Sequence, residues 1–168
     1  MLALRGQRSG APGGAKRGTA MNKNMQMLLV GHGALVFLLG MLAGFPFASV
    51  LVASLEPGGI TAWPGDVRAW KMAHMEGALN GMLMIAVAAA MTQAAMTARV
   101  QRIIVWGLIV TGWGNIIASI VSAMTGGRGL GFTGLDWNTV TFTLFMIAII
   151  GVMLAMIAVA YVAFRNRS

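Results

Sequence analysis

The chain has 168 residues, of which 58% are hydrophobic and only 10% charged, and its mean hydropathy is +0.78. A soluble domain of this size could not cover its surface with so few polar groups, so composition excludes that class. The formal charge of +8 does not indicate nucleic acid, because its distribution along the chain follows a membrane topology.

Residues 1–22, beginning MLALRGQRSGAPGGAKRGTA, are rich in Gly, Ala, Arg and Lys and read as a disordered basic tail. No apolar run of signal-peptide length follows the first basic residues, and Met21 is a second candidate start that would give the compact leader MNKNMQM. A single membrane domain is expected over 23–168. Within it, four apolar stretches lie near 25–52, 70–96, 103–124 and 139–164. Each can cross a hydrocarbon core of about 30 Å, which takes about 20 helical residues. Strands would leave open edges in lipid, so the fold class is all-α, an integral membrane four-helix bundle.

The first span contains Gly-Phe-Pro-Phe at Gly44 to Phe47, where Pro46 removes a backbone donor and is expected to kink the helix. The loop EPGGITAWPGDVR follows, with Trp63 and Trp70 at interfacial depth. About six residues join spans two and three, which forces an antiparallel hairpin. The glycine-rich loop TGGRGLGFTGLDWN precedes span four; it is too apolar for a plain linker and is expected to pack back against the bundle. Arg5, Arg8, Lys16, Arg17, Lys23, Arg99, Arg102, Arg165 and Arg167 all fall on one side of this topology. The other side mixes Arg68, Lys71 and Arg128 with Glu56, Asp66 and Asp136. By the positive-inside rule both termini are cytoplasmic.

There is no cysteine, which excludes iron–sulfur clusters, thiolate-ligated or covalently attached haem, disulfides and cysteine nucleophiles. Any metal must use oxygen or one of the two histidines, His32 and His74. Chemistry concentrates in MAHMEGALNGMLMI, from Met72 to Ile85, where polar groups sit inside a span that lipid would otherwise penalise. On a helical wheel, Gly77, Ala78 and Gly81 fall within about 60° of His74, whereas Glu76 and Asn80 lie roughly 120° to 160° away. Two readings of the first face stand open. One is a GxxxG helix-packing surface with a hydrogen-bonded histidine. The other is an axial haem ligand above small residues that admit a flat macrocycle. His32 starts span one on the cytoplasmic side and His74 starts span two on the outer side, more than about ten Å apart along the normal. They are not expected to share one iron, and His32 reads as a structural or helix–helix hydrogen-bonding residue. In span three, VTGWGN puts Asn115 at the depth of Asn80, as interhelical glue or as a polar pocket. No Ser-His-Asp pattern or Walker-type loop occurs.

The stretch WKMAHMEGALNGMLMIAVA resembles the second-helix signature of the bacterial styrene oxide isomerase family. GHG at Gly31 to Gly33, GWGN at Gly112 to Asn115 and RGLGF at Arg128 to Phe132 resemble other landmarks of that family, in the same order. The resemblance implies a multi-pass protein of the bacterial inner membrane, a homotrimer of four-helix protomers with haem b at the subunit interfaces. It implies an isomerase in which ferric iron acts as a Lewis acid on a hydrophobic epoxide, and a 1,2-shift of the Meinwald type gives an aldehyde. His74 aligns with the axial ligand and Asn80 with an asparagine that positions the epoxide. Because Asn80 points away from His74 on the wheel, it is expected to face the haem of a neighbouring protomer. Gly77 and Gly81 would form the slot for the ring, and Arg128 is a candidate partner for a haem propionate. The family's aspartate before Gly-Trp is Thr111 here, and its active-site tyrosine is Ser119, a shorter hydroxyl in a roomier position. The alternatives are a non-catalytic haem protein, serving as sensor or electron-transfer subunit, and a haem-free membrane scaffold.

Overall fold

The computed structural model describes residues 18–167. Most of the basic tail therefore lies outside the described residues. Its last part is packed: Thr19 and Met96 exchange two backbone hydrogen bonds of 3.1 and 2.9 Å, and the Met21 side chain is buried. The structured body thus begins several residues before the first helix, inside the stretch read as tail.

Four helices follow: α1 (Lys23–Leu55), α2 (Val67–Ala90), α3 (Ala98–Thr125) and α4 (Trp137–Arg165). All four are long and apolar enough to cross a membrane. Each begins at a side-chain cap: Asn22, Asp66, Thr97 and Asp136 accept from backbone N–H groups of the first turn. The Asp136 carboxyl is held below its ordinary value, chiefly by the Thr139 N–H and then by the Thr133 hydroxyl. That cap is accordingly intact above 3.8 and is lost as the pH falls through the lowered value. Gly126 ends α3 in the left-handed region (φ 74°), returning its N–H to Ser122.

The second span is shorter than its hydrophobicity suggests. It stops at Ala90, and 91–97 form the turn, because the Thr92 hydroxyl bonds back to the Ala88 and Ala89 carbonyls while Thr97 caps α3. Pro46 lies inside α1 without ending it. Trp70, near the start of α2, turns into the core, 3% exposed, with its indole N–H on the Pro64 carbonyl at 2.6 Å. The glycine-rich loop folds back onto the start of α4. Asn138 holds Gly129 N–H and the Gly131 carbonyl, and Gly129 lies against Thr141 and Phe145. Leu130, Phe132 and Leu135 nonetheless stay exposed.

Contacts fix the packing order. Gly33 meets Gly81, Gly40 meets Gly77 and Gly44 meets His74, so α1 and α2 run antiparallel. Asn115 meets Asn80 and Gly112 meets Met84, so α2 and α3 do too, and Gly107 against Gly151 with Gly114 against Ala148 repeats this for α3 and α4. Three antiparallel steps bring both termini to one end, where Asn166 exchanges hydrogen bonds with the Ala95 backbone. The bundle is open: α3 touches every other helix, whereas α4 packs on α3 alone.

A Cβ on Gly77 would collide with the Gly40 backbone, whereas one on Gly31 would meet nothing within 4 Å. Gly77→Val should therefore cost about 1–3 kcal/mol or more from overpacking. Gly31→Ala should leave stability near wild type, and thermal unfolding in detergent compares the two directly.

Candidate functional site

α2 presents polar groups on two sides. On the α1 side the absence of side chains on Gly40 and Gly44 lets the His74 ring lie against the α1 backbone, where a Cβ on Gly44 would come within 3.1 Å of Nδ1. His74 Nδ1 lies 2.8 Å from the Gly40 carbonyl oxygen, and the Phe47 ring is stacked beside it at 6.1 Å between centroids and 17° between planes. A carbonyl only accepts, so Nδ1 carries the proton. In the neutral ring the Nε2 lone pair then remains available, and Nε2 has no hydrogen-bond partner among the described residues. A backbone carbonyl that fixes one ring nitrogen while the other is left free is the arrangement metal-binding histidines ordinarily use.

His32 carries the opposite tautomer. Indole N–H only donates, so Trp113 Nε1 at 3.0 Å from His32 Nδ1 requires an unprotonated Nδ1 and puts the proton on Nε2. The rings meet edge to face. His32 thus ties α1 to α3, as the sequence suggested. Its neighbour Gly33 packs against Gly81, while His74 packs against Gly44, so the two histidines stand about 12 to 18 Å apart along the helices, counting about 1.5 Å per residue on α2 or on α1. No group of three ligating side chains occurs among the described residues.

Gly77 and Gly81 lie in the helix seam. A Cβ on either would strike the backbone of Gly40 or Phe37, so in this chain their face is filled by α1 and leaves no slot for a ring. Of the two readings of that face, helix packing is the one these contacts describe.

On the α3 side, the buried Asn80 amide donates to the Glu76 backbone carbonyl at 2.8 Å and to Glu76 Oε2 at 2.7 Å, while its oxygen faces Asn115 Nδ2 at 3.5 Å. The equal depth of the two asparagines is realised as contact. Ser119, one turn along α3 from Asn115, is fully buried, and its hydroxyl has no partner. Such a group is uncommon in a folded protein. Thr111 is placed elsewhere: its hydroxyl reaches the Gly107 carbonyl at 2.7 Å and the Ala148 carbonyl at 2.9 Å, so it is engaged between α3 and α4 and not in the Asn80 cluster. Arg128 lines a cavity of about 160 Å³ with Arg68, Asp66, Met72 and Ser122, between the start of α2 and the end of α3. His74 is not among the residues around it. Gly40 and Phe47 are the site features that residue-by-residue reading missed; the Gly40-x-x-x-Gly44 spacing on α1, matching Gly77-x-x-x-Gly81 on α2, was the available signal for the first.

The family model for styrene oxide isomerase matches residues 25–164. A styrene-oxide isomerase from Pseudomonas fluorescens is 32% identical over 108 residues, covering 62% of this chain and 64% of that protein. The matched region therefore spans somewhat less than two thirds of the relative's length.

Thr111→Val keeps the side-chain shape and deletes the hydroxyl bonds to α4. The expected cost is about 1 kcal/mol, read as a lower unfolding temperature. A loss of ligand binding or turnover with stability unchanged would return Thr111 to the site.

Proposed function

The chain belongs to the styrene oxide isomerase family, and from that premise we propose that it is a membrane isomerase that opens a hydrophobic epoxide to an aldehyde, with haem b held through His74. The observation that carries this reading is the fixed tautomer of His74, whose Nδ1–H is spent on Gly40 and whose Nε2 lone pair is left free. The donor set fits haem better than a bare ion. One histidine without two further ligating side chains cannot chelate a metal, so a metal at His74 has to bring its other ligands, as a macrocycle does. When bound, ferric haem would supply a Lewis acid for the epoxide oxygen.

The chain's own residues would do the rest. Gly40 and Phe47 hold the imidazole plane, so ligand orientation is set before any substrate arrives. Asn80 and Asn115 bring their amides together at one depth inside an apolar bundle, where a hydrogen bond from a free Asn115 N–H to a developing alkoxide would have little competition from water. The rearrangement breaks one C–O bond, moves a hydride to the neighbouring carbon and forms the carbonyl, so no external oxidant or reductant is needed. Ser119 leaves a short, unpaired hydroxyl where the resemblance has a tyrosine, which favours substrates other than styrene oxide.

Assembly enters for a geometric reason. His74 faces α1 and Asn80 faces α3, so one chain does not bring both toward one ring. A homotrimer with haem between subunits would pair His74 of one protomer with Asn80 of the next, and the thinly covered α4 leaves surface for such contacts. Arg128 and Arg68 at the mouth of their cavity would suit a propionate. Lys23, Arg99, Arg102 and Arg165 lie at helix ends on the side of both termini, which favours a cytoplasmic placement of that end in a bacterial inner membrane.

Protein purified from haem-supplied cells should show a Soret band that His74→Ala loses and His32→Ala keeps. Unchanged haem content in His74→Ala would mean another ligand, and no band in wild type would end the haem reading. A panel of aryl and alkyl epoxides, styrene oxide included, should yield aldehydes. Haem without any aldehyde would leave a sensor or electron-transfer protein.

A further inference from the structure

Glu76 is the one carboxyl that the chain places inside a membrane span; Glu56, Asp66 and Asp136 all lie outside the four helices. A carboxyl in such a place is costly and calls for a partner. Its partner is the Asn80 amide. The orientation of that amide follows from elementary valence. The Glu76 backbone carbonyl at 2.8 Å can only accept, so the nitrogen end of Asn80 faces it, and the second N–H goes to Glu76 Oε2 at 2.7 Å. Both protons of the Asn80 amide are thereby occupied, and its oxygen is turned toward α3.

The consequence falls on Asn115. Its Nδ2 meets Asn80 Oδ1 at 3.5 Å, a long contact that is readily exchanged for a better acceptor, and its second N–H has no partner among the described residues. Asn115 is also less buried than Asn80. Within the proposed isomerase reading, on which this inference rests, we propose that Glu76 is a positioning residue. It locks Asn80 with its oxygen outward, so that Asn80 orients Asn115 and the N–H offered to a substrate oxygen comes from Asn115. Asn80 then acts through its neighbour. Fixing a donor before the reaction saves the reorganisation that a free amide would need, which is where a second layer of hydrogen bonds gains its effect.

The test measures kcat and KM on the best epoxide of the panel for wild type, Glu76→Gln, Glu76→Ala, Asn115→Ala and the Glu76→Ala/Asn115→Ala double variant. Haem content and unfolding temperature are recorded for each. Glutamine keeps an acceptor oxygen for Asn80, so Glu76→Gln should stay within about threefold of wild type. Glu76→Ala should lower kcat about tenfold or more with KM and haem content little changed, an effect of the size that orienting groups supply. Asn115→Ala should lose at least as much, and the double variant should lose no more than Asn115→Ala alone, since the two act in series. Equal activity of Glu76→Ala and wild type would overturn the proposal, as would multiplicative losses in the double variant. A loss in Glu76→Ala that tracks a falling unfolding temperature and is not restored in Glu76→Gln would also overturn it, in favour of a structural role. Failure of wild type itself to convert any epoxide is a separate outcome, which removes the isomerase reading and this one with it.

Discussion

Gly33, Gly40 and Gly44 on α1 meet Gly77, Gly81 and His74 on α2 with almost nothing between the backbones. In lipid there is no hydrophobic gain from bringing two apolar helices together, so association depends on close packing and on polar groups that find partners. Glycine provides the closeness, and closeness provides the partner: only a bare helix surface lets the Gly40 carbonyl come within 2.8 Å of His74 Nδ1. That carbonyl is already an acceptor in its own helix, and its second lone pair fixes the imidazole tautomer. The tautomer of His74 is therefore a consequence of how two helices pack, and no other side chain is needed to set it.

α2 then serves two neighbours at once. Its α1 face is closed and small, and its α3 face carries Glu76 and Asn80. α3 occupies the middle of the molecule: half of its most apolar window is buried, against 22% for α4. It presents Trp113 to His32 on α1, Asn115 to Asn80 on α2 and Thr111 to the Ala148 carbonyl on α4. Each of these polar side chains finds a partner on a different helix, as a membrane interior demands. Among the described residues, the Gln101 amide nitrogen near the start of α3 and the fully buried Ser119 hydroxyl are without a partner.

Much of this was legible in the sequence. The four spans, the short α2–α3 connection, the pairing of Glu76 with Asn80 and the common depth of Asn80 and Asn115 all follow from helical periodicity and hydropathy. What was not legible is whatever depends on a second helix. The wheel put Gly77 and Gly81 beside His74 correctly, but it cannot say whether a ring or another helix fills a smooth face; Gly40 decides that for this chain. Position after a loop puts Trp70 near the end of a span, but not the inward turn by which its indole reaches the Pro64 carbonyl. The end of α2 was overestimated because hydropathy does not register a threonine hydroxyl turned back on its own helix.

The positions at which the chain departs from its family's pattern can now be weighed by what occupies them. Thr111 is not a vacancy left by an acid: its hydroxyl joins α3 to α4 beside Gly151, where a Cβ would already come within 2.9 Å of Thr111 Oγ1. An aspartate there, close to threonine in volume, would face the Gly107 and Ala148 carbonyls with no proton to donate. Ser119 differs in kind. Its surroundings are closed, its hydroxyl is unpaired, and an unpaired buried hydroxyl costs about 1–3 kcal/mol until something accepts or donates to it. The two substitutions therefore act in different places, one on the packing of the outer helix and one on the polar cluster of the inner three. With the tyrosine position reduced to a short hydroxyl, hydrogen bonding near the asparagines falls to the α2–α3 amides, and Glu76 is the side chain that fixes how the first of them is turned.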